Sequence, residues 1–276
     1  MQRRRVAQRA VWLAAQVPAL RRPIFAYHDW RSHREGHGRL GPHPFDKAEG
    51  VRTSGIVIGL IKPGDPLDKP AAIYGGSQPS ILRTALQTIP HRERCHFLDL
   101  GCGKGRPLLV ATEFGFAAIT GVELSPELAR MARRNAAIFA RRHPERTPIR
   151  IVTGDALAHP LPREDLAIFL YNPFPRPLIA TLVGRIADRQ AAGAGMLYVV
   201  SYNPVNFDLF DASPVLERRF AAQLPYDPGE LGHGPDESDG VIVWQNRGNP
   251  NPRPPGDAQR PAVVIRADAR VELSPA

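Results

Sequence analysis

Gly101, Gly103 and Gly105 alternate through Leu100-Gly101-Cys102-Gly103-Lys104-Gly105-Arg106, just after the apolar run Cys95 to Leu100 and just before a helical pattern from Pro107 to Gly115. Glycines spaced this way at a strand-to-helix turn let the backbone approach a small ligand and aim N–H groups at it. A Cβ would block that approach, and the turn needs φ/ψ values that other residues avoid. Eighteen residues beyond Gly105, the run Ala118 to Val122 ends in Glu123, at the same edge of the predicted sheet. A carboxylate placed there can accept both hydroxyls of a ribose. A nicotinamide fingerprint would need glycine at position 106, where Arg106 stands.

Further polar residues follow predicted strands. Ile149 to Thr153 runs into Gly154-Asp155-Ala156, and Leu166 to Leu170 runs into Tyr171-Asn172-Pro173-Phe174-Pro175. A second Tyr-Asn-Pro, Tyr202-Asn203-Pro204, follows the run Met196 to Val200. Both copies would stand at the carboxyl ends of neighbouring strands, where open α/β sheets bind ligands. An amide oxygen there can accept N–H bonds while an aromatic face holds an acceptor in line. The same residues also fit a strand stop at Pro173 with Phe174 packing, and repetition by chance in a chain with 29 prolines.

With Asp99 two residues ahead, the glycine pattern reads Asp-x-Gly-x-Gly-x-Gly, which resembles motif I of the seven-strand class I S-adenosylmethionine (SAM) methyltransferases. The resemblance implies that Asp99, Gly101, Gly103, Lys104 and Gly105 belong to the cofactor site. It implies that Glu123 takes the ribose and Asp155 the adenine amino group. Asn172, flanked by Tyr171 and Phe174, matches the catalytic loop of relatives that methylate planar nitrogens and also borders the cofactor. Its single following proline departs from the Pro-Pro of the DNA- and glutamine-directed enzymes. The stretch from Tyr74 to Ser80 is similar to one preceding motif I in some protein lysine methyltransferases, which implies that Tyr74 folds over the cofactor. Phe45-Asp46 and Gly50 to Gly55 resemble a segment of uncharacterised bacterial methyltransferases whose glycine motif also reads Gly-Lys-Gly-Arg.

The elements that must position these residues alternate strand and helix, the pattern of a doubly wound, mostly parallel α/β sheet. Ser125-Pro126-Glu127 supplies an N-cap, a proline at the first helical position and an early acid, opening a helix to about Arg142. Its apolar face is Leu128, Met131, Ala132, Asn135, Ile138 and Phe139. Two strands, near Glu217 to Leu224 and Val241 to Trp244, bring the count to seven in a Rossmann-like core. Lys104 and Arg106, cations at a helix N-terminus, oppose the macrodipole. The SAM carboxylate, Asp99 or an acidic acceptor would compensate them, unless both side chains are simply solvated.

The 276 residues carry a formal charge of +9. Residues 1–44 hold nine arginines against Asp29 and Glu35, a balance of +7, which leaves +2 for the remainder. The basicity therefore belongs to an N-terminal arm, expected to be flexible, that offers weak contact with nucleic acid or another anionic partner. Arginine outnumbers lysine 32 to 4, which points to a compositional bias of the whole chain. Gly36 and Gly38 argue against a helix joining His33 to His37, and no metal site is expected. Residues 45–90 form a cap or lid, 91–246 the core, and 247–276 a Pro-rich linker with a short strand or hairpin between Ala262 and Leu273. No membrane span or signal peptide is expected. Two cysteines, Cys95 and Cys102, too far apart to pair, suit a reducing, cytoplasmic setting. The expected activity is methyl transfer from SAM to a nitrogen of a protein side chain of the lysine type or of a small molecule. The alternative is a non-catalytic SAM-fold module docking RNA or a protein through the arm.

Overall fold

The computed structural model describes residues 17–36, 40–55, 57–58, 73–171, 174–234, 236–251, 262–265 and 271–274. In chain order the elements are α1 (Pro18–Glu35), α2 (Pro44–Glu49), β1 (Val57–Ile58), β2 (Ile73–Tyr74), α3 (Pro79–Gln87), β3 (His96–Leu100), α4 (Arg106–Ala111), β4 (Ala118–Glu123) and α5 (Pro126–Arg142). They continue with β5 (Ile149–Thr153), β6 (Leu166–Tyr171), α6 (Arg176–Ala191), β7 (Leu197–Tyr202), α7 (Phe207–Asp211), β8 (Leu216–Pro225), β9 (Ser238–Asn246), β10 (Ala262–Ile265) and β11 (Val271–Ser274).

Seven strands form one sheet in the order β5-β4-β3-β6-β7-β9-β8, with β9 the reversed strand. Its central strands read as near-continuous apolar runs because helices cover both faces. Phe97, Ala167, Phe169, Tyr198, Val200 and Val243 point to one side, where α3, α4 and α5 pack on them. Leu98, Leu100, Ile168, Leu170, Val199 and Trp244 point to the other, against α6 and α7. Each such buried Leu, Ile or Phe contributes roughly 1.5–3 kcal/mol, so the period-two alternation fixes register: a one-residue slip would exchange the two faces. Polar and charged Arg150 and Thr153 remain exposed on the edge strand β5.

The helix opened by Ser125 forms as expected, with Ser125 Oγ accepting the Leu128 N–H at 3.3 Å and Pro126 at the first turn. In β8 the register shifts between Arg218 and Phe220. Arg219 at that bulge is buried and donates to the Thr88 carbonyl at 2.7 Å and to Gln245 Oε1 at 2.7 Å, fastening the sheet edge to the end of α3.

The N-terminal region differs from the flexible arm expected over residues 1–44. Residues 18–35 are helical, with Phe25 and Asp29 buried, and Gly36 stops the helix at φ 63°. The two glycines thus act after His33, as a terminator, and do not prevent a helix before it. Residues 1–16 and 37–39, including His37, lie outside the described residues. At the other end β10 and β11 pair antiparallel as a separate two-stranded hairpin, within the segment where a strand or hairpin was expected.

Candidate functional site

The loop between β3 and α4 is built on three left-handed glycines, with φ of 91°, 54° and 87° at Gly101, Gly103 and Gly105. Any other L residue would be strained in these conformations. The N–H groups of Gly101 and Cys102 both donate to the Val122 carbonyl, at 2.9 and 3.0 Å. That seats the loop on β4, and Gly121 makes the close approach possible: a Cβ there would lie 2.5 Å from Leu108 Cδ1 and 2.7 Å from Cys102 Sγ. The sequence signal for Gly121 was present, a glycine inside an apolar strand, but its role was not drawn from it.

Glu123 closes the loop from the end of β4. Its Oε2 accepts the Gly103 N–H at 2.8 Å, and its Oε1 accepts the Ser125 N–H at 2.8 Å. Burial raises the carboxyl pKa, while these backbone donors oppose the shift. Each carboxylate oxygen retains capacity for a second bond, the requirement for holding vicinal hydroxyls. Asp99 is fully buried, and its Oδ2 has no hydrogen-bond partner among the described residues. Burial, and secondarily Glu123, hold its pKa well above the usual carboxylate range. An orphaned buried acceptor beside left-handed glycines fits a cofactor that brings its own donors. Asp155 follows β5 at the same sheet end as Glu123, which accepts the Gly154 N–H through its carbonyl at 3.0 Å. The Asp155 side chain is exposed and accepts the Leu157 N–H at 2.8 Å, so its carboxylate is held in a turn facing solvent. Cys102 is buried beside Asp99 and Glu123, and burial first pushes its thiol well up, which suits packing and not nucleophilic attack.

Lys104 and Arg106 depart from the sequence expectation. Neither is solvated: Lys104 is 0% and Arg106 2% exposed. Their partners are not Asp99 but residues of the N-terminal segment. Lys104 Nζ lies 2.7 Å from Asp29 Oδ1 on α1 and donates to the Ser54 carbonyl at 2.7 Å. Arg106 donates through Nε to Thr53 Oγ1 at 2.7 Å, through Nη1 to the Ser77 carbonyl at 3.0 Å and through Nη2 to Ser54 Oγ at 3.3 Å. Asp46, 3.8 Å from Nη2, also accepts the N–H groups of Thr53 and Ser54 at 2.7 and 2.6 Å. The Lys104 ammonium, placed by sequence among the cofactor-binding groups, is thus already engaged by the cap. Asp29 was missed because it lies 75 positions away in a segment read as an arm.

The tyrosines that lead the two Tyr-Asn-Pro sequences do meet. Tyr171 and Tyr202 are register partners on the parallel strands β6 and β7, with ring centroids 4.5 Å apart at 56°. Tyr202 is fully buried; its hydroxyl donates to Asp239 Oδ2 at 2.5 Å and accepts the Gln78 N–H at 3.3 Å. Tyr226 donates to the same Asp239 oxygen at 2.5 Å. Burial pushes both the Tyr202 phenol and the Asp239 carboxyl up in pKa. Gln78 extends the network to His43, whose Nε2 lies 2.9 Å from Gln78 Oε1. His43 Nδ1 accepts the Phe45 N–H at 3.1 Å, so Nε2 carries the proton. Burial, and then Arg106, push that imidazole down to about 3. Asn203 takes a positive φ of 47° at the second loop and donates its N–H to the Gly240 carbonyl at 2.9 Å. Asn172 and Pro173 lie outside the described residues. Phe174 is half-buried and packs with the core on the face opposite Tyr171, so the two aromatic candidates separate across the sheet. Tyr74 stands in β2 with Val57 as its register partner, and its side chain lies outside the described residues.

Among the described residues, no group of three His, Cys, Asp or Glu side chains is placed to hold a metal ion, and no helix is long and apolar enough to cross a membrane.

Comparison with known proteins bears on the same segment. Residues 97–188, from β3 to α6, match a family described as Methyltransferase domain. The chain is similar in structure to a putative class I S-adenosylmethionine-dependent methyltransferase from Listeria monocytogenes, at 12% identity and TM-score 0.45, covering 65% of this chain and 62% of that one. It is also similar to an O-methyltransferase from Bacillus cereus in complex with SAH, at 14% identity and TM-score 0.45, covering 62% and 83%. An RNA methyltransferase from Salinibacter ruber in complex with S-adenosyl-L-homocysteine shares 20% identity at TM-score 0.37, covering 62% and 92%. The chain thus spans less than two thirds of the Listeria protein's length. No curated protein sequence matches it.

Proposed function

We propose that this chain, whose residues 97–188 match the Methyltransferase domain family, is a class I, SAM-dependent methyltransferase that transfers the methyl group to a nitrogen of a protein side chain of the lysine type or of a small molecule, in the cytoplasm. SAM supplies an electrophilic methyl on a sulfonium sulfur, so the protein's share of the work is binding, orientation and exclusion of water. Glu123 would take the ribose hydroxyls, and the glycine loop with Asp99 the polar end of the cofactor. Asp155 would take the adenine amino group, and Tyr74 would cover the bound molecule.

One observation supports the nitrogen acceptor above the rest: Tyr171 and Tyr202 stand side by side at the ends of β6 and β7, each leading into Asn-Pro. Asn172 is then a hydrogen-bond acceptor for the target N–H, with Tyr171 as an adjoining aromatic wall and Phe174 fixing the loop from below. Tyr202, buried and held by Asp239, gives that wall a fixed backing. The cytoplasmic setting is supported by Cys95 and Cys102, both buried free thiols.

A second reading has one observation in its favour. On α1, Tyr27 and Trp30 are exposed and adjacent, with Arg34 4.9 Å from the Trp30 ring, a surface suited to RNA or protein. In that reading the domain binds SAM without turnover and docks through the basic arm.

Incubation with methyl-labelled SAM and a bacterial lysate distinguishes the two. Label recovered as a methylated amine in protein or a small molecule supports transfer to nitrogen. Label in RNA, or no transfer by protein that binds the cofactor, contradicts it.

A further inference from the structure

We infer that Lys104 and Arg106 are positioning residues for the cofactor loop, and that through them cofactor affinity depends on the docking of residues 29–36 and 40–54 over that loop. The inference rests on the SAM reading of the glycine motif.

The loop alternates two kinds of residue with opposite duties. Gly103 presents its N–H to Glu123 on the ligand side. Its neighbour Lys104 sends its side chain the other way, into a site closed by Asp29 and the Ser54 carbonyl. The backbone of Lys104 is held as well: its carbonyl accepts Asn135 Nδ2 at 2.9 Å. Asn135 in turn pairs with the Arg52 peptide, accepting its N–H at 3.0 Å and donating to its carbonyl at 3.2 Å. Side chain and main chain of one loop residue are therefore both tied to residues 52–54.

Arg106 repeats the pattern two residues on. Its guanidinium spans Thr53, Ser54 and Ser77, and Gly76 leaves room for it: a Cβ at Gly76 would lie 2.5 Å from Nη1. A displacement of residues 29–36 and 40–54 would take Asp29 and Ser54 from Lys104, and Thr53 and Ser54 from Arg106, a loss at two buried cations that the loop can relieve by turning the Lys104 and Arg106 peptides. Gly103 and Gly105 adjoin those peptides, and glycine does not resist the turn. The Gly103 N–H then loses its aim at Glu123, and with it the setting of the carboxylate that would take the ribose. Coupling of this kind is reciprocal, so a bound cofactor must in turn hold α1 and residues 43–54 in place.

Calorimetric titration of the full chain with S-adenosylhomocysteine (SAH) tests the coupling. Asp29→Asn preserves shape and removes the charge facing Lys104. The expected result is a Kd about tenfold weaker, measured where circular dichroism shows the variant folded. A purely structural role would lower Tm and leave the Kd of the folded protein unchanged, and that result overturns the inference. Hydrogen exchange on the wild-type chain needs no variant. SAH is expected to slow exchange over residues 18–35 as well as 99–106, whereas slowing confined to 99–106 overturns the inference. Failure of SAH to bind the folded wild type overturns the SAM reading and this inference with it. Binding by the wild type with an unchanged Asp29→Asn affinity overturns this inference alone.

Discussion

The Gly103 N–H donates to Glu123 Oε2 at 2.8 Å, joining the tip of the loop after β3 to the end of β4. The acid that would take the ribose is therefore also the acid that shapes the loop. Its second oxygen is fixed by the Ser125 N–H, so the carboxylate is oriented by the fold before a ligand arrives. Glu123→Ala removes both functions and is expected to weaken SAH binding by roughly 10- to 100-fold, the loss of charge-assisted hydrogen bonds at about 1.5–3 kcal/mol. Glu123→Gln retains an acceptor oxygen and should lose less. Equal calorimetric affinities for wild type and Glu123→Ala would place the ribose elsewhere.

Gly76 is close-packed against Arg106, and a Cβ would lie 2.5 and 2.6 Å from its Nη1 and Cζ. Three hydrogen bonds prevent the guanidinium from swinging aside. Gly76→Ala should destabilise the fold by ~1–3 kcal/mol, read as a lower urea midpoint. An unchanged midpoint would mean that Arg106 is not held as described.

His43 gives a pH signature of known sign. Its imidazole is held down at about 3 by burial and then Arg106, against an ordinary value of 6.5. Between those values the unfolded chain binds a proton that the folded chain refuses. His43 therefore subtracts stability as pH falls through that window, by up to about 1.4 kcal/mol per pH unit. The carboxyls of Asp99, Glu123, Glu230 and Asp239, pushed up by burial, act in the opposite sense above their ordinary values. The readout is thus a difference. Tm of His43→Asn, whose amide oxygen can still accept the Phe45 N–H, should fall less steeply than wild type from pH 6.5 to 4. Parallel curves would contradict the assignment.

Asn172 separates binding from chemistry. If its amide accepts the target N–H, Asn172→Ala should lower turnover by about 100-fold and leave SAH affinity within a few fold. Tyr202→Phe removes the buried hydroxyl shared with Asp239 and Gln78, and should appear mainly as lost stability, about 1–2 kcal/mol. A variant of Asn172 with full turnover would make Asn172-Pro173 a strand terminator only.

Much of the core was legible because its signals are local. Ser125-Pro126 marked a helix start that the structure reproduces, and the strand ending at Glu123 ends there. The apolar run Cys95 to Leu100 likewise announced a strand, which forms over His96–Leu100. What was not legible depends on distant contacts. Nothing near Asp29 says that its partner is Lys104, and nothing near Lys104 says that its charge turns to Asp29 and Ser54. Asp46 was noticed as part of a resemblance, yet its work for Thr53, Ser54 and Arg106 appears only when α2 lies over the loop. A buried cation is readable from sequence only when its counter-charge is near in the chain. Here the chain brings the two together through the fold.

The most direct measurement is an SAH titration of the folded 276-residue chain by calorimetry, with Glu123→Ala as its control. A SAM-dependent methyltransferase domain predicts saturable one-to-one binding that the substitution weakens. Absence of binding by the folded wild type would contradict it.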